Sequence, residues 1–155
     1  MKKTLSYVFA TGFGAGYFPF ASGTAGSLAA LPPAFAAAYF FGTWGVAALA
    51  ALVYIIGTIS TREVLKYTAH DPSVVVVDEI AGQTLTVLPI ARFLNWGQLW
   101  WWLGAFFLFR LFDITKPQPA RFFDAKVLNA HGVMLDDVVA GFYGAAALEI
   151  IKICF

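Results

Sequence analysis

Long runs of apolar residues, separated by short polar stretches, dominate the pattern of this chain. Such runs occur at about 27–41, 44–60, 74–91, 97–112 and 133–153. A helix needs ~20 apolar residues to cross the hydrocarbon core of a bilayer, so several runs are short for a straight span. We therefore predict about five apolar helices, some of them tilted, broken or partly submerged, with segment 4–20 as a further interfacial or re-entrant helix.

The first apolar run contains two consecutive prolines. Pro32 and Pro33 lack the backbone N–H that a helix interior uses, and their rings clash with the preceding turn. We expect them to kink the first helix or to delay its start.

The composition indicates a membrane protein. Hydrophobic residues make up 60% of the chain and charged residues only 12%, whereas soluble domains carry about 25% charged residues. The 155 residues suit one domain, and a single cysteine, Cys154, excludes an internal disulfide. We predict an all-α, polytopic helical bundle that forms one membrane-embedded domain over residues 1–155.

The positions of the basic residues predict an orientation. Lys and Arg concentrate on the cytoplasmic side of membrane proteins. If the N-terminal lysines lie inside and the five runs alternate, eight of the ten Lys and Arg residues fall on or near the inner side. Only Arg92 and Lys152 fall outside. The polar stretches 20–27, 60–73 and 113–132 then share the cytoplasmic face, where we expect the active site.

Acidic residues lie at the ends of these apolar runs. Asp78 and Glu79 open the third helix, Asp113 closes the fourth, and Asp136 and Asp137 open the fifth. A carboxylate in apolar surroundings costs several kcal/mol unless it is paired, hydrated or bound to a cation. One alternative is that they are N-terminal helix charges that interact with the helix dipole. Adjacent pairs at two helix starts favour a cation instead.

Two of the acidic segments resemble each other. "VVVVDEIAG" aligns with "VMLDDVVAG", so that Asp78 matches Asp137 and Gly82 matches Gly141. Each glycine lies four residues beyond an acid on the same helical face, and small residues let helices approach closely. We predict that these helices pack side by side and bring their carboxylates together. Magnesium takes such oxygen ligands together with substrate phosphate.

Basic and hydroxyl side chains lie near these acids in sequence. Arg110 and Lys116 flank Asp113 and can bind phosphate, although snorkelling to the interface is an alternative for Arg110. The stretch "SGTAGS" at 22–27 offers hydroxyls and backbone N–H groups before a helix, which could bind an anion or form a plain capped start. His70 is a candidate general acid or base, or a loop histidine without that role.

The remaining polar residues have simpler interpretations. We expect Asp124 and Glu63 to be solvated loop charges and Glu149 to lie on the outer side. His131 is expected in the turn before the fifth helix.

Four motifs occur together in this chain. They are "GTAGSLAALP" (23–32), "HDPSVVVVDEIAGQ" (70–83), "FRLFDITKPQPARFFD" (109–124) and "GVMLDDVVAG" (132–141). In this order they resemble the phosphatidylglycerophosphatase A family, from about residue 10 to 145. The resemblance implies an all-helical, magnesium-dependent lipid phosphatase of the bacterial inner membrane, which hydrolyses phosphatidylglycerophosphate to phosphatidylglycerol and phosphate.

The resemblance and the residue pattern together define the expected site. The expected metal ligands are Asp78, Glu79, Asp113, Asp136 and Asp137. The expected catalytic residues are Asp113, Lys116, Asp136 and His70. The expected phosphate-binding residues are Thr24, Ser27, Arg110 and Lys116. Ala25 and Gln118 replace the bulky aromatics that we would expect in the family, and neither change removes a ligand.

A second function class fits the acids without phosphatase activity. Carboxylates within membranes also mark transporters and ion pathways, so a small cation carrier or a non-catalytic membrane subunit is the alternative. The acids lie at the cytoplasmic helix ends rather than in mid-span, beside a loop rich in Lys and Arg, which favours an anionic substrate. We expect the bilayer and a lipid substrate as partners, and no nucleic acid.

Overall fold

The computed structural model describes residues 3–68 and 72–154, and these residues form helices and loops without a β-strand. The helices are α1 (Lys3–Ala10), α2 (Ser22–Val64), α3 (Val77–Thr86), α4 (Leu99–Thr115), α5 (Ala120–Lys126) and α6 (Ala130–Cys154). Short 3-10 turns occur at Ala15–Tyr17, Leu88–Ile90 and Trp96–Gln98. The prediction of an all-α fold is confirmed.

Helix α2 is broken at Gly42, where the chain folds back on itself. Gly42 has φ 62° and ψ −154°, a conformation that is essentially restricted to glycine. A Cβ atom on Gly45 would lie 2.6 Å from the carbonyl oxygen of Ala37, although eight residues of continuous helix would separate them by about 12 Å. Arms 22–41 and 43–64 are therefore separate helices, as the apolar pattern predicted.

Both ends of α2 reach the start of α3. A Cβ atom on Gly26 would lie 2.8 Å from the Cβ of Val76, and one on Gly57 would lie 3.1 Å from a methyl group of Val77. The two arms of α2 therefore form a hairpin whose open end lies against α3. This arrangement brings the glycine-rich stretch at 22–27 to the acidic helix start.

The prolines do not determine where α2 starts or breaks. The helix begins at Ser22, ten residues before Pro32, so the prediction of a late start is wrong. The non-helical backbone inside α2 lies at Gly42 rather than at Pro32 or Pro33. Proline fits the helical φ angle, whereas the conformation at Gly42 excludes continuation of the helix.

The helix lengths suit a chain that lies partly within a membrane. Among the described residues, α2 is the one helix that is long and apolar enough to cross a membrane by length and composition. Helices α3 and α4 have 10 and 17 residues, shorter than a full straight span. Large exposed side chains such as Phe20, Trp44 and Trp96 suit a lipid environment and its interfaces. These features are consistent with an inner-membrane location.

Helices α3 and α6 pack against each other through glycines. A Cβ atom on Gly141 would lie 2.5 Å from the carbonyl oxygen of Gly82 and 3.0 Å from its Cα. The hydroxyl of Thr86 lies 2.9 Å from the Gly82 carbonyl oxygen and 3.2 Å from that of Gly141. The predicted close approach of the two matching segments is confirmed.

The N-terminal segment packs onto the loop before α3. The Val76 N–H donates to the carbonyl oxygen of Ala10 at 2.9 Å, and Gly16 lies directly against the Val74 backbone. Segment 4–20 thus contains the short helix α1 and a 3-10 turn. Its insertion into the membrane interface stays a prediction.

Candidate active site

Three carboxylates meet between the first turn of α3 and a point about two turns into α6. The prediction that Asp136 and Asp137 open their helix is wrong, because α6 begins at Ala130 and has no acid in its first turn. Oxygen atoms of Asp78, Glu79 and Asp137 all lie within 4.8 Å of one another. Asp78 and Asp137 are 6% and 4% exposed. The glycine contact between α3 and α6 lies one turn beyond these acids and holds the two acid-bearing segments together. Such a cluster of buried like charges requires a compensating cation or bound protons.

The same face of α3 carries further polar atoms without partners. Oε2 of Glu79 and both polar atoms of the Gln83 amide are buried and lack a hydrogen-bond partner among the described residues. The two residues lie four positions apart and therefore one above the other on the helix. Leaving buried polar atoms unpaired costs about 1–3 kcal/mol each, so this face is suited to a ligand or to water.

Sequence reasoning did not identify Gln83 as a candidate site residue. The available signal was a polar side chain within an apolar run, one helical turn beyond Glu79. Its complete burial shows that this side chain does not face solvent.

Helix α4 contributes an ion pair beside the three carboxylates. Arg110 and Asp113 form a salt bridge, and their side chains are only 18% and 12% exposed. Asp113 is also close enough to Asp137 to repel it. Arg110 therefore pairs with Asp113, whereas no basic side chain among the described residues forms a salt bridge with Asp78, Glu79 or Asp137.

The start of α2 lies against this ion pair. A Cβ atom on Gly23 would collide with a carboxylate oxygen of Glu79 and lie 3.0 Å from Nη1 of Arg110. A Cβ atom here would push these two side-chain ends aside, so Gly23 lets the first turn of α2 approach both groups. The first N–H groups of a helix have no partner within that helix and favour anions.

The two hydroxyl residues of this stretch differ in their surroundings. Ser27 is fully buried, and its hydroxyl donates to the carbonyl oxygen of Gly23 at 2.8 Å. Thr24 is half-buried in the first turn of α2. Contact of either hydroxyl with phosphate stays a prediction, and Thr24 is the more accessible of the two.

Lys116 links α4, α5 and α6. It ends α4 in the left-handed conformation with φ 42°, which is uncommon outside glycine and costs energy. Its Nζ lies 2.7 Å from Oδ1 of Asp124 and 2.7 Å from Oδ2 of Asp136. Burial alone would lower the pKa of Lys116, but its hydrogen bonds to Asp124 and Asp136 outweigh burial and raise that pKa. Lys116 is therefore a fixed positive charge.

The interpretation of Asp124 as a solvated loop charge is wrong. Asp124 lies on α5 and binds Lys116, eight residues away along the chain. Chain reversal between α4 and α5 brings the two residues together, and local patterns do not reveal such a reversal.

Other predicted residues lie outside this cluster. His70 is outside the described residues, so its catalytic role stays a prediction. His131 lies in the first turn of α6 rather than before it, and its Nδ1 is 3.2 Å from the hydroxyl of Tyr54. Glu63 pairs with Lys66 at 2.5 Å and Glu149 with Lys152 at 2.5 Å.

Comparison with known proteins reveals relatives of nearly full length. A Bacteroides thetaiotaomicron protein, provisionally named a phosphatidylinositol-3-phosphatase, is 37% identical over 96% of this chain and 94% of its own length. The phosphatidylglycerophosphatase A of Escherichia coli is 36% identical over 94% of this chain and 82% of its own. The phosphatidylglycerophosphatase A of Haemophilus influenzae is 35% identical over 94% of this chain and 88% of its own length. No solved structure matches the chain.

The family match covers the part of the chain that contains the candidate site. The sequence pattern of the family described as phosphatidylglycerophosphatase A matches residues 8–152. That range contains the three buried carboxylates, Arg110 and Lys116. An enzyme family whose substrates are phosphorylated lipids does not fit the alternative of a cation carrier or a non-catalytic subunit. The chain therefore belongs to the phosphatidylglycerophosphatase A family and is a phospholipid phosphatase.

Proposed function

We propose that this protein hydrolyses phosphatidylglycerophosphate to phosphatidylglycerol and phosphate, with a magnesium ion held by its buried carboxylates. The observation that carries the proposal is the cluster of Asp78, Glu79 and Asp137 beside two fixed cations. Two relatives that match over most of the chain are named for this reaction.

The residues present fit a hard divalent cation. Magnesium prefers oxygen ligands from one or a few carboxylates and completes its shell with water and substrate phosphate. Asp78, Glu79 and Asp137 present oxygens within 4.8 Å of one another, and Oε2 of Glu79 has no hydrogen-bond partner in the part of the chain that the structure describes. These three residues would hold the ion, which when bound would neutralise the carboxylates and polarise phosphate oxygens.

The two remaining predicted ligands have a different role in this proposal. Asp113 is paired with Arg110, and Asp136 with Lys116. Each carboxylate holds a basic side chain in place, and that side chain can then bind a phosphate oxygen in the water-poor surroundings of the cluster. Arg110 can bind phosphate through two N–H groups, whereas Lys116 acts as a point charge.

Hydrolysis also requires proton transfer. Water attacks phosphorus, the bond between phosphorus and the glycerol oxygen breaks, and that oxygen must gain a proton. One group must therefore accept a proton from water and one must return it. Asp113 and Asp136 are paired with the proposed phosphate-binding residues Arg110 and Lys116, and we propose them for these steps together with His70.

We further propose that the chain crosses the inner membrane several times, with the carboxylates at the cytoplasmic face. The hairpin of α2 brings both of its ends to the start of α3, and the alternation of the apolar runs puts eight of the ten Lys and Arg residues on the inner side. The lipid's acyl chains would remain in the bilayer while its terminal phosphate reaches the carboxylates from the cytoplasm.

The substrate is tested by phosphate release from the purified protein in detergent with magnesium. Phosphatidylglycerophosphate and phosphatidylinositol 3-phosphate are supplied in separate reactions, because one relative is named for a phosphoinositide. We expect faster turnover of phosphatidylglycerophosphate. Preferential turnover of the phosphoinositide would overturn the proposed substrate but not the assignment as a phospholipid phosphatase.

The acids are tested by a double substitution. Asp78→Asn with Asp137→Asn should abolish turnover while helicity is retained, because amides keep the size of the side chains and remove their charge. The matched control is Glu149→Gln, whose carboxylate is bound to Lys152 near the other end of α6. Full turnover by the double variant would show that these two acids are not required.

A further inference from the structure

A long groove lies between the second arm of α2 and helix α6. Its apolar part has a volume of about 520 Å³ and is lined by α2, α3 and α6, with Ala50, Leu85 and Phe142 among its residues. A second cavity of about 550 Å³ continues it toward the C-terminal end of α2. Tyr54 and Ile55 line both cavities, so the two lie next to each other along α2 and α6, and we refer to them together as the groove.

The second cavity gives the groove a polar, basic end. Arg62, Asn129 and His131 line it, and the hydroxyl of Tyr54 lies 3.2 Å from Nδ1 of His131. Among the described residues, Arg62 has no ion pair, and no carboxylate lines either cavity. The neighbouring acid, Glu63, is bound to Lys66. Among the described residues, the lining of the basic end therefore contains Arg62 and no carboxylate.

The three carboxylates lie outside this groove, because Asp78, Glu79 and Asp137 line neither of its cavities. Leu135, Val138 and Phe142 line the groove and share one helical face because of their spacing. At 3.6 residues per turn, Asp136 and Asp137 lie roughly 130° around the helix from that face. The groove is therefore distinct from the space in which the terminal phosphate of the substrate would be bound.

The dimensions and charge of the groove fit one class of ligand. From Arg62 to Ala47 the groove follows about 22 Å of helix, enough for an acyl chain to cross one leaflet of a hydrocarbon core ~30 Å thick. A phosphodiester at the basic end would pair with the free guanidinium. A zwitterionic headgroup would bring an ammonium that has no carboxylate to bind in this cavity.

We propose that this groove is a binding site for an anionic glycerophospholipid, separate from the active site. Arg62, Asn129 and His131 bind the headgroup phosphate, and one acyl chain lies between α2 and α6 as far as Ala47. The bound lipid fills the gap between the second arm of α2 and α6, and so stabilises the packing of these helices.

The test is native mass spectrometry of the full-length protein in detergent with equimolar dioleoyl phosphatidylglycerol and dioleoyl phosphatidylcholine. We expect preferential retention of phosphatidylglycerol and about tenfold lower retention in Arg62→Gln, the effect of losing one charge-assisted hydrogen bond. The matched control Arg121→Gln removes an exposed arginine on α5 that lines neither cavity, and should retain the lipid as wild type does.

A second variant tests the apolar part of the groove. Ala51 is exposed and lines the groove, so Ala51→Trp should fill it without disturbing the core, and retention of both lipids should fall. Equal retention of the two lipids by the wild-type protein would overturn the proposal. So would an equal loss in Arg62→Gln and Arg121→Gln, or unchanged retention in Ala51→Trp.

Discussion

Substitution of Gly141 by alanine should separate the two helices that carry the carboxylates. The added Cβ would lie 2.5 Å from the carbonyl oxygen and 3.0 Å from the Cα of Gly82, whereas ordinary contacts begin at 3.4 Å. The obstructing atoms are backbone and cannot rotate away. Helices α3 and α6 must therefore move apart by roughly 0.4–0.9 Å, the difference between these distances.

The cost follows from two opposing effects. Alanine stabilises a helix interior relative to glycine by about 1 kcal/mol, whereas overpacking of a tight contact costs about 1–3 kcal/mol. Gly104 on α4 provides a matched control, because a Cβ there would meet nothing within 4 Å. We expect Gly104→Ala to raise the free energy of unfolding. The free energy of unfolding of Gly141→Ala should be about 1–3 kcal/mol lower than that of Gly104→Ala.

The assay is thermal unfolding in detergent, followed by phosphate release at a temperature where both variants are folded. A difference of this size corresponds to about 2–4 °C in Tm per kcal/mol for a chain of this length. Gly141→Ala should also lose turnover, because Asp137 moves away from Asp78 and Glu79. Equal Tm and equal turnover of the two variants would refute the claim that the glycine contact positions the carboxylates.

Three further predictions concern single side chains. Lys116→Met should lower kcat/KM by about 10- to 100-fold, because a charged phosphate contact is lost. Lys126→Met removes an exposed lysine and should match the wild-type protein. Equal kcat/KM values for the two variants would contradict the proposed role of Lys116. Gly42→Ala should lower the free energy of unfolding by about 1–3 kcal/mol because of its backbone conformation, and thermal unfolding alongside Gly104→Ala checks this. Gln83→Leu should leave Tm unchanged or raise it, because it removes a buried amide that lacks a partner among the described residues. The same variant should lower turnover. Unchanged turnover would show that Gln83 contributes to packing alone.

The apolar pattern and the acids could be predicted from local sequence. The five runs correspond to the two arms of α2, α3, α4 and α6, because burial in lipid or protein requires continuous apolar stretches. The matching acid and glycine positions on α3 and α6 predicted their close packing, since the spacing of four residues places both on one helical face.

Features that depend on distant contacts could not be predicted. The bond between Lys116 and Asp124 requires the chain to reverse after α4. The position of Gly23 against Glu79 depends on the hairpin of α2. In the sequence, Gly42 resembles any other small residue in an apolar run. The break in helix α2 at this glycine is determined by how the two arms of α2 pack. The pairing of Asp136 with Lys116 likewise depends on how the C-terminal end of α4 packs against α6.

The central claim is that the buried carboxylates of α3 and α6 serve the reaction by holding a divalent cation. The most direct measurement is phosphate release from phosphatidylglycerophosphate by the purified protein in excess chelator, followed by addition of magnesium above the chelator concentration. We expect release to stop in chelator and to return with magnesium in the wild-type protein, but not in the Asp78→Asn, Asp137→Asn double variant. Undiminished release in chelator by the folded wild-type protein would contradict the account.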